Sequence, residues 1–149
     1  MTDVLIVGDG PAGLSAALFL AKNEMSVKVF GQDQTLMHKA VVYNYLGIPD
    51  ITGSEFQKIS RQQVEKFGAE LLEGEVNSVE KGASGFTVQT DDGVSHEGEY
   101  LILATGPSNP LAESLGVDKG DEGLVSDRSG RTGVDLSLIH ISEPTRHRG

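Results

Sequence analysis

A glycine-rich turn directly after a short apolar run constrains the fold of this chain more than any other feature. Val4 to Val7 has the pattern of a parallel strand buried on both faces, and Gly8-x-Gly10-x-x-Gly13 follows at once. In such a turn the first glycine permits the bend, the second lets the backbone approach a diphosphate, and the third allows close helix packing. The amides that open the helix would face the anion, aided by the helix dipole. The turn therefore predicts a dinucleotide site.

The residues after the glycines complete a strand–helix–strand unit. Pro11 suits the first helical turn, where a missing N–H removes no hydrogen bond. Leu14 to Asn23 carries apolar residues at spacings of three and four, which predicts a helix with one apolar face. Val27 to Phe30 is then the second strand. In this context the glycine motif favours a bound ligand, and a turn without a ligand is the less favoured alternative.

One element of the dinucleotide fingerprint is missing at the end of the second strand. An acidic residue that binds a ribose hydroxyl is expected near residue 31, and that position is Gly31. The nearest acid is Asp33, which either serves the ribose from the following loop or is a solvated turn residue.

A second helix is predicted over Ser54 to Phe67. Thr52 or Ser54 could cap its start, and Gly68 ends it. Its predicted inner side consists of Phe56, Ile59, Gln63 and Phe67.

Strand-like segments dominate from residue 70 onward. They are Glu70 to Val79, Phe86 to Thr90 and Glu97 to Leu103, and an Asp-Asp-Gly turn joins the second to the third. These segments predict a small three-stranded antiparallel β insertion. His96 falls in the predicted hairpin, where we expect it to be exposed.

Composition narrows the class of protein. The 149 residues suffice for about one domain, and the net charge of −10 disfavours nucleic acid and anionic membranes as partners. With no cysteine, the chain offers no disulfide, no Cys-ligated metal and no internal dithiol. The four histidines show no metal-ligand spacing, so no metal is expected. No apolar run is long enough to cross a bilayer and no leader precedes the first strand, so we expect a cytoplasmic location.

Two motifs together resemble the thioredoxin reductase-like pyridine nucleotide-disulfide oxidoreductases. Val-Leu-Ile-Val-Gly-Asp-Gly-Pro-Ala-Gly-Leu-Ser-Ala-Ala at 4–17 is similar to the FAD-binding start of that family, and Leu-Ile-Leu-Ala-Thr-Gly at 101–106 is similar to its second signature. The resemblance covers nearly all of positions 2–135. It implies an α/β fold. The fold would be a Rossmann-like FAD-binding domain over 1–135, with a parallel sheet and a small antiparallel β insertion.

The resemblance also implies FAD as the cofactor and a set of residues that bind it. The diphosphate would lie at the glycine turn, the adenine near the turn after the second strand, and the flavin ring near the Asn-aromatic segment. The implied cofactor-binding residues are Gly8, Gly10, Pro11, Ala12, Gly13, Gly31, Gln32, Asp33, Asn44, Val76, Ala104, Thr105 and Gly106.

Alternatives stay open for the loop after the second strand. His38 and Lys39 either approach the flavin or are solvated loop charges. Tyr43 and Tyr45 either stack on the flavin ring or pack the loop onto the core. No side chain is an obvious catalyst, which is expected of a flavoprotein because the flavin itself carries the electrons.

The chain departs from the family pattern after its second motif. Residues 107–129 stand where two-domain members insert an NADPH-binding domain, and Gly130 to Asp135 is similar to the segment that leads back into the flavin domain. The family's closing Gly-Asp motif is expected after Asp135. Residues 136–149 instead resemble translated sequencing-adaptor DNA, which predicts a non-native tail; the alternative is a genuine C-terminal strand. We therefore expect the natural protein to continue further.

The resemblance implies an FAD-dependent oxidoreductase that passes electrons through bound flavin. Electrons would come from an external donor or a partner protein, and a homodimer is a further assembly left open. The alternatives are a non-catalytic module that binds FAD or NAD, and an inactive truncated fragment.

Overall fold

The computed structural model describes residues 1–107, 110–117, 119–120, 123–124 and 138–140. The strands in these ranges are β1 Thr2–Val7, β2 Val27–Gly31, β3 Val41–Val42, β4 Ile51–Thr52, β5 Glu70–Glu73, β6 Val76–Lys81, β7 Phe86–Thr90, β8 Ser95–Leu103, β9 Lys119–Gly120, β10 Gly123–Leu124 and β11 Leu138–His140. The helices are α1 Pro11–Lys22, α2 Gly53–Lys66 and α3 Pro110–Ser114, with a short 3-10 helix at Leu36–Lys39.

One mixed sheet organises these elements. Its strand order is β5-β2-β1-β8-β7-β6, and β11 pairs with β8. Strands β5, β2, β1 and β8 are mutually parallel, whereas β7 and β6 continue the sheet in antiparallel pairing. The order of the parallel strands reverses between β1 and β8, and ligands of open α/β sheets bind outside the carboxyl ends at such a point. The predicted α/β, Rossmann-like fold with a small antiparallel part is confirmed.

Strand β8 joins the parallel and antiparallel halves of the sheet. Residues 95–98 pair with β7, and residues 98–103 pair with β1. Gly98 belongs to both ladders, because it lies opposite Thr2 and Phe86. A Cβ at Gly98 would press against the side chain of Leu5, so glycine lets β1 and β8 stay closely paired.

Strand β1 is buried on both faces, as its apolar run predicts. Val4 and Ile6 belong to a core cluster shared with α1 and α2, while Leu5 and Val7 belong to a second cluster shared with β6, β7 and α3. Helix α1 packs on the first cluster along one face, as predicted. The buried residues of that face are Gly13, Leu14, Ala17 and Ala21.

Both ends of α2 match the prediction. The Oγ1 atom of Thr52 accepts a hydrogen bond from the Glu55 N–H at 3.2 Å, which caps the start of the helix. Gly68 follows its last turn with φ of +102°, a conformation that favours glycine.

The inner face of α2 differs from the predicted one. Ile59 and Phe67 were expected to face inward and are 45% and 46% exposed. The buried residues are instead Gly53, Gln57 and Val64. The reason is a polar contact, because the side-chain amide of Gln57 donates to the carbonyl oxygen of Asp9 at 2.9 Å and so draws that position inward.

The predicted strand over Glu70 to Val79 is two strands. Strand β5 runs parallel to β2, and β6 runs antiparallel to β7, so one straight segment cannot satisfy both pairings. Gly74 forms the break with φ of +151°, and its N–H donates to the Gly31 carbonyl at 3.0 Å. The predicted turn between β7 and β8 is confirmed, with Gly93 at φ of +82°.

The C-terminal predictions fall mostly outside the described residues, and Gly130 to Asp135 lies there entirely. The backbone of β11 pairs in parallel with β8. The non-native origin of 136–149 stays a prediction, because strand pairing does not reveal where a sequence comes from. Among the described residues, no helix is long and apolar enough to span a bilayer.

His96 is half-buried rather than exposed. Its ring meets Phe30 edge-on, with centroids 5.0 Å apart, and its Nδ1 lies 3.3 Å from the Nζ atom of Lys28. Burial, together with the charge of Lys28, holds the pKa of His96 below its ordinary value. The neutral imidazole can therefore accept a hydrogen bond from the lysine ammonium.

We expect His96→Gln to reduce the acid sensitivity of the fold. Because the pKa of His96 is lower in the folded chain than in the unfolded chain, the unfolded chain binds more protons between the two values. Wild-type stability therefore falls as pH drops through the unfolded value of about 6.5. Urea unfolding at about pH 7.5 and about pH 5 should show a smaller decrease for His96→Gln. An equal decrease in both proteins would contradict this role of His96.

Candidate functional site

The carboxyl ends of β1, β2 and β8 meet at the glycine turn. The Ala104 N–H donates to the Val7 carbonyl at 2.7 Å, and the Gly8 N–H donates to the Phe30 carbonyl at 2.9 Å. Gly8 has φ of +114°, and a Cβ there would overlap the carbonyl oxygen of Ala104. The two sequence motifs are therefore in direct backbone contact at the switch point of the sheet.

The start of α1 is open to an anion. Gly10 precedes the helix, Pro11 is its first residue, and neither a capping side chain nor an acidic residue occupies the first turn. The amides of Ala12 and Gly13 lie at positions that have no intrahelical acceptor. A Cβ built at Gly10 would come no closer than 3.7 Å to its nearest neighbour, Thr35 Cγ2, so the backbone is accessible from that side. These features suit a diphosphate.

A cavity of about 1240 Å³ opens at this turn. It exceeds the roughly 300–1,000 Å³ of ordinary small-molecule sites, as an extended dinucleotide requires. Three segments line it: the glycine turn with the start of α1, the loop after β2, and the residues after β8. Most of the predicted cofactor-binding residues are in the lining, namely Gly8, Gly10, Pro11, Ala12, Asp33, Ala104, Thr105 and Gly106.

The other predicted residues lie away from the cavity lining. Gly13 packs beneath the turn, where a Cβ would overlap the carbonyl oxygen of Gly8. Gly31 ends β2, and Gln32 is exposed immediately after it. The side chain of Val76 lies in the core, and Asn44 is exposed on the loop before β4. Their roles toward FAD stay predictions.

Asp9 is a buried carboxylate within the glycine turn, and the sequence reasoning did not single it out. It is 4% exposed, and its Oδ2 accepts hydrogen bonds from Arg61 Nη1 at 2.7 Å and from the Asp33 N–H at 2.9 Å. A Cβ at Gly31 would overlap this carboxylate. The end of β2 therefore lacks the expected acid, and the carboxylate of Asp9 from the glycine turn occupies the space beside Gly31.

Helix α2 reaches Asp9 through two residues one turn apart. Gln57 donates to its carbonyl oxygen, and Arg61 donates to its carboxylate. Gln57 is fully buried, and within the described part of the chain its Oε1 has no hydrogen-bond partner. The signal available in the sequence was an acid inside a buried turn, since a buried charge requires a partner. Nothing local identifies Arg61 as that partner.

The loop after β2 holds His38 in one tautomer. The Thr35 N–H donates to His38 Nδ1 at 2.9 Å, so Nδ1 carries no proton in this arrangement. Nε2 then carries the hydrogen and donates to Asp33 Oδ1 at 3.0 Å. His38 is among the residues that line the cavity, and its approach to the flavin stays a prediction.

The other candidates from this loop differ in position. Lys39 lines the cavity, whereas Tyr43 and Tyr45 are 71% and 61% exposed and do not line it. Within the ranges that the structure describes, no cluster of three or more His, Asp or Glu side chains could hold a metal ion.

Comparison with known proteins gives a family match over most of the chain. The model of the family described as pyridine nucleotide-disulphide oxidoreductase matches residues 2–135. Thioredoxin reductase of Aquifex aeolicus (strain VF5) is 35% identical over 108 residues, which are 70% of this chain and 33% of that protein. Ferredoxin–NADP reductase of Lactococcus lactis subsp. lactis (strain IL1403) is 31% identical over 136 residues, 83% of this chain and 42% of that protein. The chain thus spans less than half the length of these relatives.

Solved structures agree with the fold. The atypical thioredoxin reductase TRi from Desulfovibrio vulgaris Hildenborough is 35% identical, with a TM-score of 0.67 over 72% of this chain and 37% of that one. HlmI is 17% identical, with a TM-score of 0.83 over 93% of this chain and 83% of that one. At that identity the second likeness shows the fold alone.

We expect Gly13→Ala to destabilise the protein. Its methyl group would overlap the backbone carbonyl of Gly8, and the strain should lower the free energy of unfolding by about 2 kcal/mol or more. Urea unfolding measures the change. The matched control is Gly10→Ala, whose methyl group meets only ordinary contacts, and we expect that change to stay within about 0.5 kcal/mol. Equal stability of the two variants would contradict the close packing.

Proposed function

We propose that this chain, which belongs to the pyridine nucleotide-disulphide oxidoreductase family, is the FAD-binding part of a flavin-dependent oxidoreductase. One observation carries the proposal. The glycine turn after β1 and the Ala-Thr-Gly segment after β8 meet by backbone contact at the switch point and together wall one large cavity. A lone dinucleotide turn would not require the second segment.

The cavity residues fit the parts of FAD. The accessible backbone at Gly10 and the amides that open α1 would bind the diphosphate. The Asp33 carboxylate lies in the loop after β2 and is half-exposed, so a ribose hydroxyl could donate to it. Thr105 and Gly106 would bound the flavin side of the site. Bound FAD would supply the redox chemistry, and the chain would supply binding, orientation and electrostatics.

The absence of cysteine and the names of the relatives support the proposed electron partners. With no cysteine, these residues cannot provide a redox-active dithiol. Relatives include enzymes named thioredoxin reductase and ferredoxin–NADP reductase, which supports exchange of electrons with an external donor or a partner protein. The FAD domain over 1–135, the non-native tail, the cytoplasmic location and the homodimer stay proposals.

FAD binding by the full chain tests the first half of the proposal. We expect calorimetry to detect binding and the purified complex to be yellow. Gly10→Ala should fold normally and bind FAD at least about tenfold more weakly, because its methyl group occupies the approach of the diphosphate. The matched control is Gly82→Ala, which lies between β6 and β7 with its nearest contact at 3.6 Å and should change neither property. A folded wild-type chain that gives no heat with FAD would reject the proposal.

Reduction of the bound flavin tests the second half. Anaerobic NADH, NADPH or a reduced partner protein should bleach the flavin absorbance if the site takes part in electron transfer. Bound FAD that none of them reduces, but that dithionite does, would favour a non-catalytic binding module.

A further inference from the structure

We propose that Arg61 neutralises Asp9 so that the glycine turn can accept a diphosphate, which makes Arg61 a positioning residue for the cofactor. The inference rests on the proposed function, because it concerns how the same site tolerates an anionic ligand. It arises from the acid at the second position of the glycine turn, Asp9.

Asp9 creates an electrostatic problem for the turn. It lies between Gly8, which makes the bend, and Gly10, whose backbone would approach the diphosphate, and it lines the same cavity. Because it is 4% exposed, water screens its charge poorly. A carboxylate in this place would repel the phosphates that the backbone amides attract.

Arg61, on helix α2, forms an ion pair with Asp9 and so offsets its negative charge. Its Nη1 lies 2.7 Å from Asp9 Oδ2, and three-quarters of its side chain is covered. Its Nε also lies 3.9 Å from Asp33 Oδ1, so one guanidinium lies beside both carboxylates, Asp9 and Asp33. Lys39 also lines the cavity, but it is exposed, so solvent screens its charge more strongly.

A purely mechanical role is the competing account. Gln57 and Arg61 both bind Asp9 from α2, so Arg61 could simply tether the turn to the helix. The two accounts differ when Asp9 loses its charge. A tether is weakened by any change at either end, whereas charge compensation becomes unnecessary once Asp9 is neutral.

The test measures FAD and inorganic pyrophosphate binding by calorimetry for the full-length wild type and four variants. We expect Arg61→Gln to weaken the binding of both ligands by about ten- to a hundredfold at low salt, and the deficit to shrink as salt screens the free carboxylate. Asp9→Asn should bind FAD more tightly than wild type, by about two- to tenfold. The Asp9→Asn/Arg61→Gln double variant should return to within about threefold of wild type. Lys58→Gln, which removes an exposed cation from the same helix, is the matched control.

The outcomes separate this inference from the proposed function. A double variant as weak as Arg61→Gln, or weaker binding by Asp9→Asn, would establish the tether and overturn charge compensation while FAD binding stands. Circular dichroism shows whether Arg61→Gln folds. If it does not, Asp9→Asn and the double variant still show whether removing the Asp9 charge strengthens or weakens FAD binding. A wild type that binds pyrophosphate but does not bind FAD would reject FAD as the cofactor and leave the diphosphate site standing. A folded wild type that binds neither would overturn both proposals.

Discussion

The backbone contact between the ends of β1 and β8 is the constraint on which the rest of the site depends. The amide of Ala104 continues the ladder onto Val7, and Gly8 lies so close to Ala104 that no side chain fits between them. A side chain at Gly13 is excluded in the same way, because it would overlap the Gly8 carbonyl oxygen between the turn and α1. Since glycine alone satisfies these contacts, the turn, the helix start and the Ala-Thr-Gly segment are held around one cavity.

The sequence predicted the elements whose signals are local. An apolar run, a glycine turn and a helix with apolar residues three and four apart define the first βαβ unit within about thirty residues, and the structure has that unit. Both motifs were assigned to FAD by resemblance. The structure brings their backbones together, because β1 and β8 are parallel and their carboxyl ends lie at one edge of the sheet.

What the sequence did not predict depends on contacts between distant residues. Gln57 and Arg61 turn toward Asp9, so α2 buries a polar position and leaves Ile59 half-exposed. Gly74 separates two strands because one must join β2 and the other β7. Apolar periodicity reports the preference of each segment alone. A buried charge pair or a change of strand partner overrides that preference without leaving a local pattern.

The central claim is that the glycine turn and the segment after β8 bind the same FAD molecule. Amide chemical-shift mapping by NMR of the nitrogen-15-labelled chain during an FAD titration tests it most directly. The account predicts that the largest shifts occur together at Gly10, Ala12, Gly13, Thr105 and Gly106. Saturable binding that shifts amides in the β6–β7 hairpin or on the outer face of α2, while those five stay unchanged, would contradict it.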